Sequence, residues 1–171
     1  EQIREVYSRH WTDESHEHIA QPKLVYISDS TEIGTIYTKN ELKEIYKACK
    51  ENDMYLFIDG ARLGYALASE DNDLDLKTIA ENCDVFYIGG TKCGAMFGEA
   101  LVILNNELKK DFRYVIKQKG GMLAKGWLLG IQFDELLKDG LYFELAAHAD
   151  KMAYKIKNAA LEAGYKLYSD S

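Results

Sequence analysis

Four unbroken apolar runs constrain this chain more than any other feature. They are Leu24-Val25-Tyr26-Ile27, Met54-Tyr55-Leu56-Phe57-Ile58, Val85-Phe86-Tyr87-Ile88 and Ala100-Leu101-Val102-Ile103-Leu104. A strand with one wet face alternates apolar and polar residues. A continuous run predicts a strand buried on both faces, as in a parallel sheet. Between the runs the spacing turns helical. Thr38-Lys39-Asn40-Glu41 reads as a capping box, in which hydroxyl and carboxylate satisfy free amide donors. Leu42, Ile45, Tyr46 and Cys49 follow at helical intervals. Short helices are predicted over Leu63 to Ala68 and Leu76 to Asn82, with a helix end at Glu1 to Arg9 and loop or short helix from Thr12 to Ala20. Past the fourth run, Trp127, Leu128, Ile131 and Leu136 are read as one helix face. Leu141, Leu145, Ala149, Met152, Ile156 and Ala159 are read as the apolar stripe of a longer helix. Tyr165-Lys166-Leu167-Tyr168 reads as the start of a further strand. The order predicts an α/β fold, a mostly parallel sheet with flanking helices.

Composition excludes several classes. With 28 acidic side chains against 21 Lys and Arg, the net charge is −7, and no basic patch invites nucleic acid. No apolar stretch approaches the roughly 18–20 residues that span a bilayer, so no membrane partner is expected. The three cysteines, Cys49, Cys83 and Cys93, form no C-x-x-C. Reduced thiols fit a cytoplasmic protein. His10, His16 and His18 stand among Asp13, Glu14 and Glu17. Their uneven spacing in a polar segment reads as a solvated surface, and no metal is expected.

Ligands of a parallel sheet bind beyond the carboxyl ends of its strands. Two segments stand there. Asp59-Gly60-Ala61-Arg62 closes the second run. A carboxylate at that position is partly desolvated and holds its charge only beside a cationic or N–H partner. Gly89-Gly90-Thr91-Lys92-Cys93-Gly94 follows the third run. There the glycines let backbone N–H groups approach an anion, and a desolvated lysine becomes an amine nucleophile. Taken singly, each also fits a structural role: an ion pair capping a strand, or an exposed lysine in a hairpin. Cys93 reads as a small residue in a tight turn. Together, an acid and a lysine on adjacent loops are the pair that pyridoxal phosphate requires. The lysine holds the aldehyde, and the acid keeps the ring nitrogen protonated.

The segments Leu56-Phe57-Ile58-Asp59-Gly60-Ala61-Arg62-Leu63, Asp84-Val85-Phe86 and Gly90-Thr91-Lys92 resemble the threonine aldolase and β-eliminating lyase family of fold-type-I pyridoxal phosphate enzymes. The likeness extends through Thr31-Glu32 and covers most of the chain. It implies that Lys92 carries the cofactor, that Asp59 partners the pyridine nitrogen, that Arg62 lies near the ring oxygen and that Thr91 contacts the phosphate. It further implies a small-molecule amino acid substrate, aldol cleavage to glycine and an aldehyde, and a homo-oligomer with shared active sites. β-Elimination and transamination use the same three residues. A non-catalytic phosphate-binding module is the alternative of another class. One departure stands out. Gly120-Gly121-Met122-Leu123-Ala124-Lys125-Gly126 carries Leu123 where the family has an arginine, which leaves Lys125 or another basic group to substitute. The chain opens without methionine and is expected to be the central part of a longer enzyme. Residues 1–140 would belong to an incomplete large cofactor-binding domain, and 141–171 to a long helix and the start of a small C-terminal domain.

Overall fold

The computed structural model describes residues 1–169. In chain order the elements are α1 (Gln2–Thr12), β1 (Leu24–Ser28), α2 (Lys39–Glu51), β2 (Tyr55–Asp59), α3 (Leu63–Ala68), α4 (Leu76–Glu81), β3 (Val85–Gly89), β4 (Glu99–Ile103), α5 (Asn106–Lys109), α6 (Phe112–Gln118), α7 (Trp127–Leu137) and α8 (Leu141–Glu162). The four apolar runs become the four strands, in the order β1-β2-β3-β4. β1 pairs with β2 and β2 with β3 in parallel, while β4 returns antiparallel to β3. The carboxyl ends of the three parallel strands therefore lie at one edge of the sheet.

One sheet face is packed. Leu56, Ile58, Phe86 and Ile88 meet Leu42 and Cys49 of α2, Leu63 of α3, Ile79 of α4, and Tyr142 and Ala146 of α8. The Thr38–Glu41 capping box starts α2 as the sequence predicts. Asp84, 1% exposed, ties the layers together. Its carboxylate accepts from Lys50 Nζ (2.7 and 2.9 Å), from the Leu56 N–H (2.8 Å) and from Asn105 Nδ2 (2.9 Å). One side chain thus joins α2, β2 and the loop after β4.

The expectation of strands buried on both faces does not hold for β1. Leu24 and Tyr26 are more than half exposed. Among the described residues, the second sheet face carries an aromatic row instead of a helix layer. Tyr26 stacks on Phe57 at 5.3 Å, and Phe57 meets Tyr87 at 5.9 Å. The runs look unbroken because these outward positions are aromatic, with apolar bodies and polar tips.

Three other expectations are corrected. Trp127, Leu128 and Ile131 are exposed while Leu136 is buried. Nine residues make about two and a half helical turns, which puts Trp127 and Leu136 on opposite sides of α7. In α8 the buried positions are Tyr142 and Ala146, and Leu145 and Ile156 are exposed. Residues Tyr165 to Tyr168 form no strand. Gly164 (φ +86°) instead turns the chain, and the Tyr165 N–H bonds back to the Ala160 carbonyl at 3.0 Å, capping α8.

Replacing Asp84 by Ala is expected to cost about 3–5 kcal/mol, because the Lys50 ammonium and the Leu56 amide lose their acceptor. Urea denaturation of the variant against the native protein measures it.

Candidate active site

Asp59 is the last residue of β2, and strand alternation puts it on the aromatic face with Phe57. Its Oδ1 accepts from the Ala61 N–H at 2.9 Å, and its Oδ2 accepts from the Tyr26 hydroxyl. Burial works to raise the Asp59 pKa. The hydroxyls of Tyr26 and Tyr87, the Ala61 amide and the charge of Arg62 outweigh it and hold the carboxyl below its ordinary range. The N–H and cationic partners expected from the sequence are present. The two tyrosines were not foreseen, although they occupy outward positions of the neighbouring strands.

Arg62 stands just before α3. Its Nε donates to the Ser30 carbonyl (3.2 Å) and its Nη2 to Glu32 Oε1 (2.7 Å). Both acceptors lie in the loop after β1, so the guanidinium is fixed at the edge where Asp59 ends its strand. The backbone N–H of Glu32 and the Arg62 charge together hold the Glu32 carboxyl low.

The loops after β2 and β3 meet backbone to backbone. The Gly89 N–H donates to the Gly60 carbonyl at 2.9 Å. A Cβ on Gly60 would lie 1.8 Å from the Tyr87 carbonyl oxygen, and one on Gly89 would lie 2.4 Å from that of Gly60. Only glycine allows this approach. The turn beyond is closed by the amides of Cys93 and Ala95, each 2.9 Å from the Gly90 carbonyl, while the Gly90 amide donates to Glu99 Oε2 at 2.6 Å. Lys92 sits exposed in this turn and is not desolvated as the sequence suggests, because the side chain of the following residue, Cys93, turns inward while its own does not; its carbonyl accepts from the Tyr65 hydroxyl. Thr91 is exposed at the start of the turn. Cys93 points inward, 4% exposed. Burial and the charge of Asp150 push its thiol up, so it serves packing and not nucleophilic chemistry.

Leu123 is exposed in the loop before α7, with Lys125 also exposed nearby. His10 is buried, and the rings of His10, Trp11 and His16 pack at 5.0–5.7 Å. Among the described residues no three His, Cys, Asp or Glu side chains converge on a metal position.

This mostly parallel sheet with flanking helices has the fold of a fold-type-I pyridoxal phosphate enzyme. The family model for β-eliminating lyases matches residues 3–167, and the chain belongs to that family. A low specificity L-threonine aldolase from a Pseudomonas species is 38% identical over 136 residues, covering 80% of this chain and 39% of that enzyme. The one from Pseudomonas aeruginosa is 36% identical over 139 residues, with the same coverage. The Leishmania major threonine aldolase structure superposes with a TM-score of 0.92 at 54% identity, over 99% of this chain and 49% of that one. The chain thus spans between two fifths and half of the length of these relatives.

Asp29, immediately after β1, gives the site edge a pH signature. It is 3% exposed, and its Oδ1 has no hydrogen-bond partner. Burial raises its pKa to about 6 despite the backbone N–H of Tyr37. A raised carboxyl favours the fold below its unfolded pKa, near 4, and loses that contribution as pH rises through about 6. Stability is therefore expected to fall between pH 4 and pH 7 through this group. Asp29→Asn should remove that pH dependence and gain up to about 3 kcal/mol at pH 8. Denaturant midpoints taken across the pH range, native against variant, check it.

Proposed function

We propose that the protein carrying this chain is a pyridoxal phosphate-dependent aldehyde-lyase. It cleaves the Cα–Cβ bond of a β-hydroxy amino acid, as its threonine aldolase relatives are named for, and releases glycine and an aldehyde. The observation that carries the reading is the glycine seam. Through it, the loop that begins at an ionised Asp59 abuts the loop that carries Lys92.

The residues fit the cofactor by their chemistry. A carboxylate held below its ordinary pKa at a strand end is the acceptor that a protonated ring nitrogen needs. An exposed lysine on a hydrogen-bonded turn is a suitable point of attachment. When bound, pyridoxal phosphate supplies an electron sink for the charge that bond cleavage leaves on the substrate Cα. Asp59, held below its ordinary pKa, would supply the negative charge that partners the ring nitrogen. Arg62, fixed by Ser30 and Glu32, serves the ring oxygen side. Thr91 donates to the phosphate, and Lys125 or a basic group of a neighbouring subunit takes the place of the arginine absent at Leu123. Lys92 Nζ holds the cofactor and carries a proton to and from the substrate.

Residues 1–140 serve a large cofactor-binding domain, and 141–171 form a long helix and the start of a small C-terminal domain. The protein works as a homo-oligomer with shared active sites, in the cytoplasm, on a small-molecule amino acid substrate. No helix among the described residues is long and apolar enough to cross a bilayer.

With cofactor added, the full-length protein is expected to release acetaldehyde from threonine or allo-threonine, and Asp59→Asn to lower that rate about 10²–10⁴-fold. Pyruvate from serine or cysteine, with no acetaldehyde from either threonine isomer, would overturn the reading in favour of elimination.

A further inference from the structure

The turn that bears Lys92 is anchored from beneath by a helix that supplies none of the residues assigned above. Tyr142, in the first turn of α8, is 1% exposed. Its hydroxyl donates to the Gly89 carbonyl at 2.9 Å. That carbonyl belongs to the residue whose N–H makes the seam to Gly60. The Tyr142 carbonyl in turn accepts from Cys93 Sγ at 3.5 Å, one residue beyond Lys92. The ring fills the space over Gly64, where an added Cβ would come within 3.0 Å of it and 2.9 Å of the Cys93 sulfur. Two side chains of α7 and α8, Leu136 and Leu145, come within 2.9 Å of a Cβ placed on Gly94. The Lys92 turn is therefore held at Gly89, Cys93 and Gly94 by α7 and α8, and at the Lys92 carbonyl by Tyr65 of α3.

We infer that Tyr142 is a positioning residue for Lys92: through Gly89 and Cys93 it fixes the backbone from which the lysine amine is presented. The consequence for Lys92 chemistry rests on the functional reading above, but the effect on the turn does not. A tyrosine whose only task was to fill the core would be replaced by phenylalanine at little cost, since the rings have the same shape. Here the hydroxyl has a buried partner, and phenylalanine would strand the Gly89 carbonyl without a donor. The burial that raises the Tyr142 phenol pKa keeps it protonated, so the O–H donor persists across the working pH range.

Tyr142→Phe in the full-length protein tests the inference with two readings. In the cofactor-free protein, amide hydrogen exchange at Cys93 and Ala95 should quicken about tenfold, while exchange in β1 and β2 stays unchanged. In the cofactor-loaded protein, kcat for threonine cleavage should fall about tenfold with KM within twofold. The pH midpoint of the bound cofactor's visible absorbance should also move, although Tyr142 lies beneath the turn and not in it. Gly64→Ala, which forces Cys93 and the Tyr142 ring apart while keeping the hydroxyl, should move both readings in the same direction and covers the case in which the first variant does not fold. A folded variant with native exchange at Cys93 and Ala95 would overturn the inference. So would quickened exchange with an unmoved absorbance midpoint and unchanged kcat, which would make the contact merely structural. Absence of any absorbance from cofactor bound through Lys92 in the native protein would instead overturn the functional reading, leaving the exchange result to decide the role of Tyr142 in the turn.

Discussion

A single backbone hydrogen bond, from the Gly89 amide to the Gly60 carbonyl, governs how this edge of the molecule is built. It closes the seam between the two strand-end loops, and it can form only because neither residue carries a Cβ. The loop on one side begins with Asp59 and turns into α3 at Arg62. The loop on the other holds Lys92. With the seam closed, the loop that follows Asp59 and the loop that carries Lys92 are joined backbone to backbone. The net strength of such a bond is modest, about 1 kcal/mol. Its effect comes from the steric exclusion around it, which leaves the two loops one way to meet.

The charge of Asp59 depends on that arrangement. A carboxylate at a buried strand end would rise in pKa if left alone. Here two phenol hydroxyls, one amide and a guanidinium keep it ionised. The aromatic row of Tyr26, Phe57 and Tyr87 thus has two tasks: its rings cover part of the sheet face, and the tyrosine tips hold the aspartate. Asp29, one strand away, shows the converse. With burial and too few donors its carboxyl rises to about 6. Two acids at the same edge diverge because Asp29 is the more deeply buried and has fewer donors.

The strands and the motif residues were legible in the sequence because each rests on local chemistry. The runs at residues 54–58 and 85–88 mark β2 and β3, the Thr38–Glu41 box marks the start of α2, and Asp59-Gly60 and Gly89-Gly90 mark the loops. The open face was not legible. Tyrosine in an apolar run reads the same whether its hydroxyl meets a helix or an aspartate, so the roles of Tyr26 and Tyr87 became visible only once β1 and β3 flanked β2. The facing of α7 and α8 was misread for a related reason. Both helices carry apolar residues on more than one side, and periodicity cannot say which side meets the sheet. Tyr142 lay outside the stripe read for α8, and its bond to Gly89, 53 residues earlier, leaves no local signal. The placement of Lys92 and Asp59 on adjacent loops followed from strand order, which a parallel sheet constrains tightly.

In the proposed function Lys92 is the lysine that this edge presents to the cofactor. Reducing the full-length protein with borohydride in the presence of pyridoxal phosphate, then mapping the modified peptide by mass spectrometry, tests it most directly. One pyridoxyl adduct per chain is expected within this sequence, on Lys92, with loss of that adduct in Lys92→Ala. Stable attachment at another lysine, such as Lys125, with Lys92 unmodified, would contradict it.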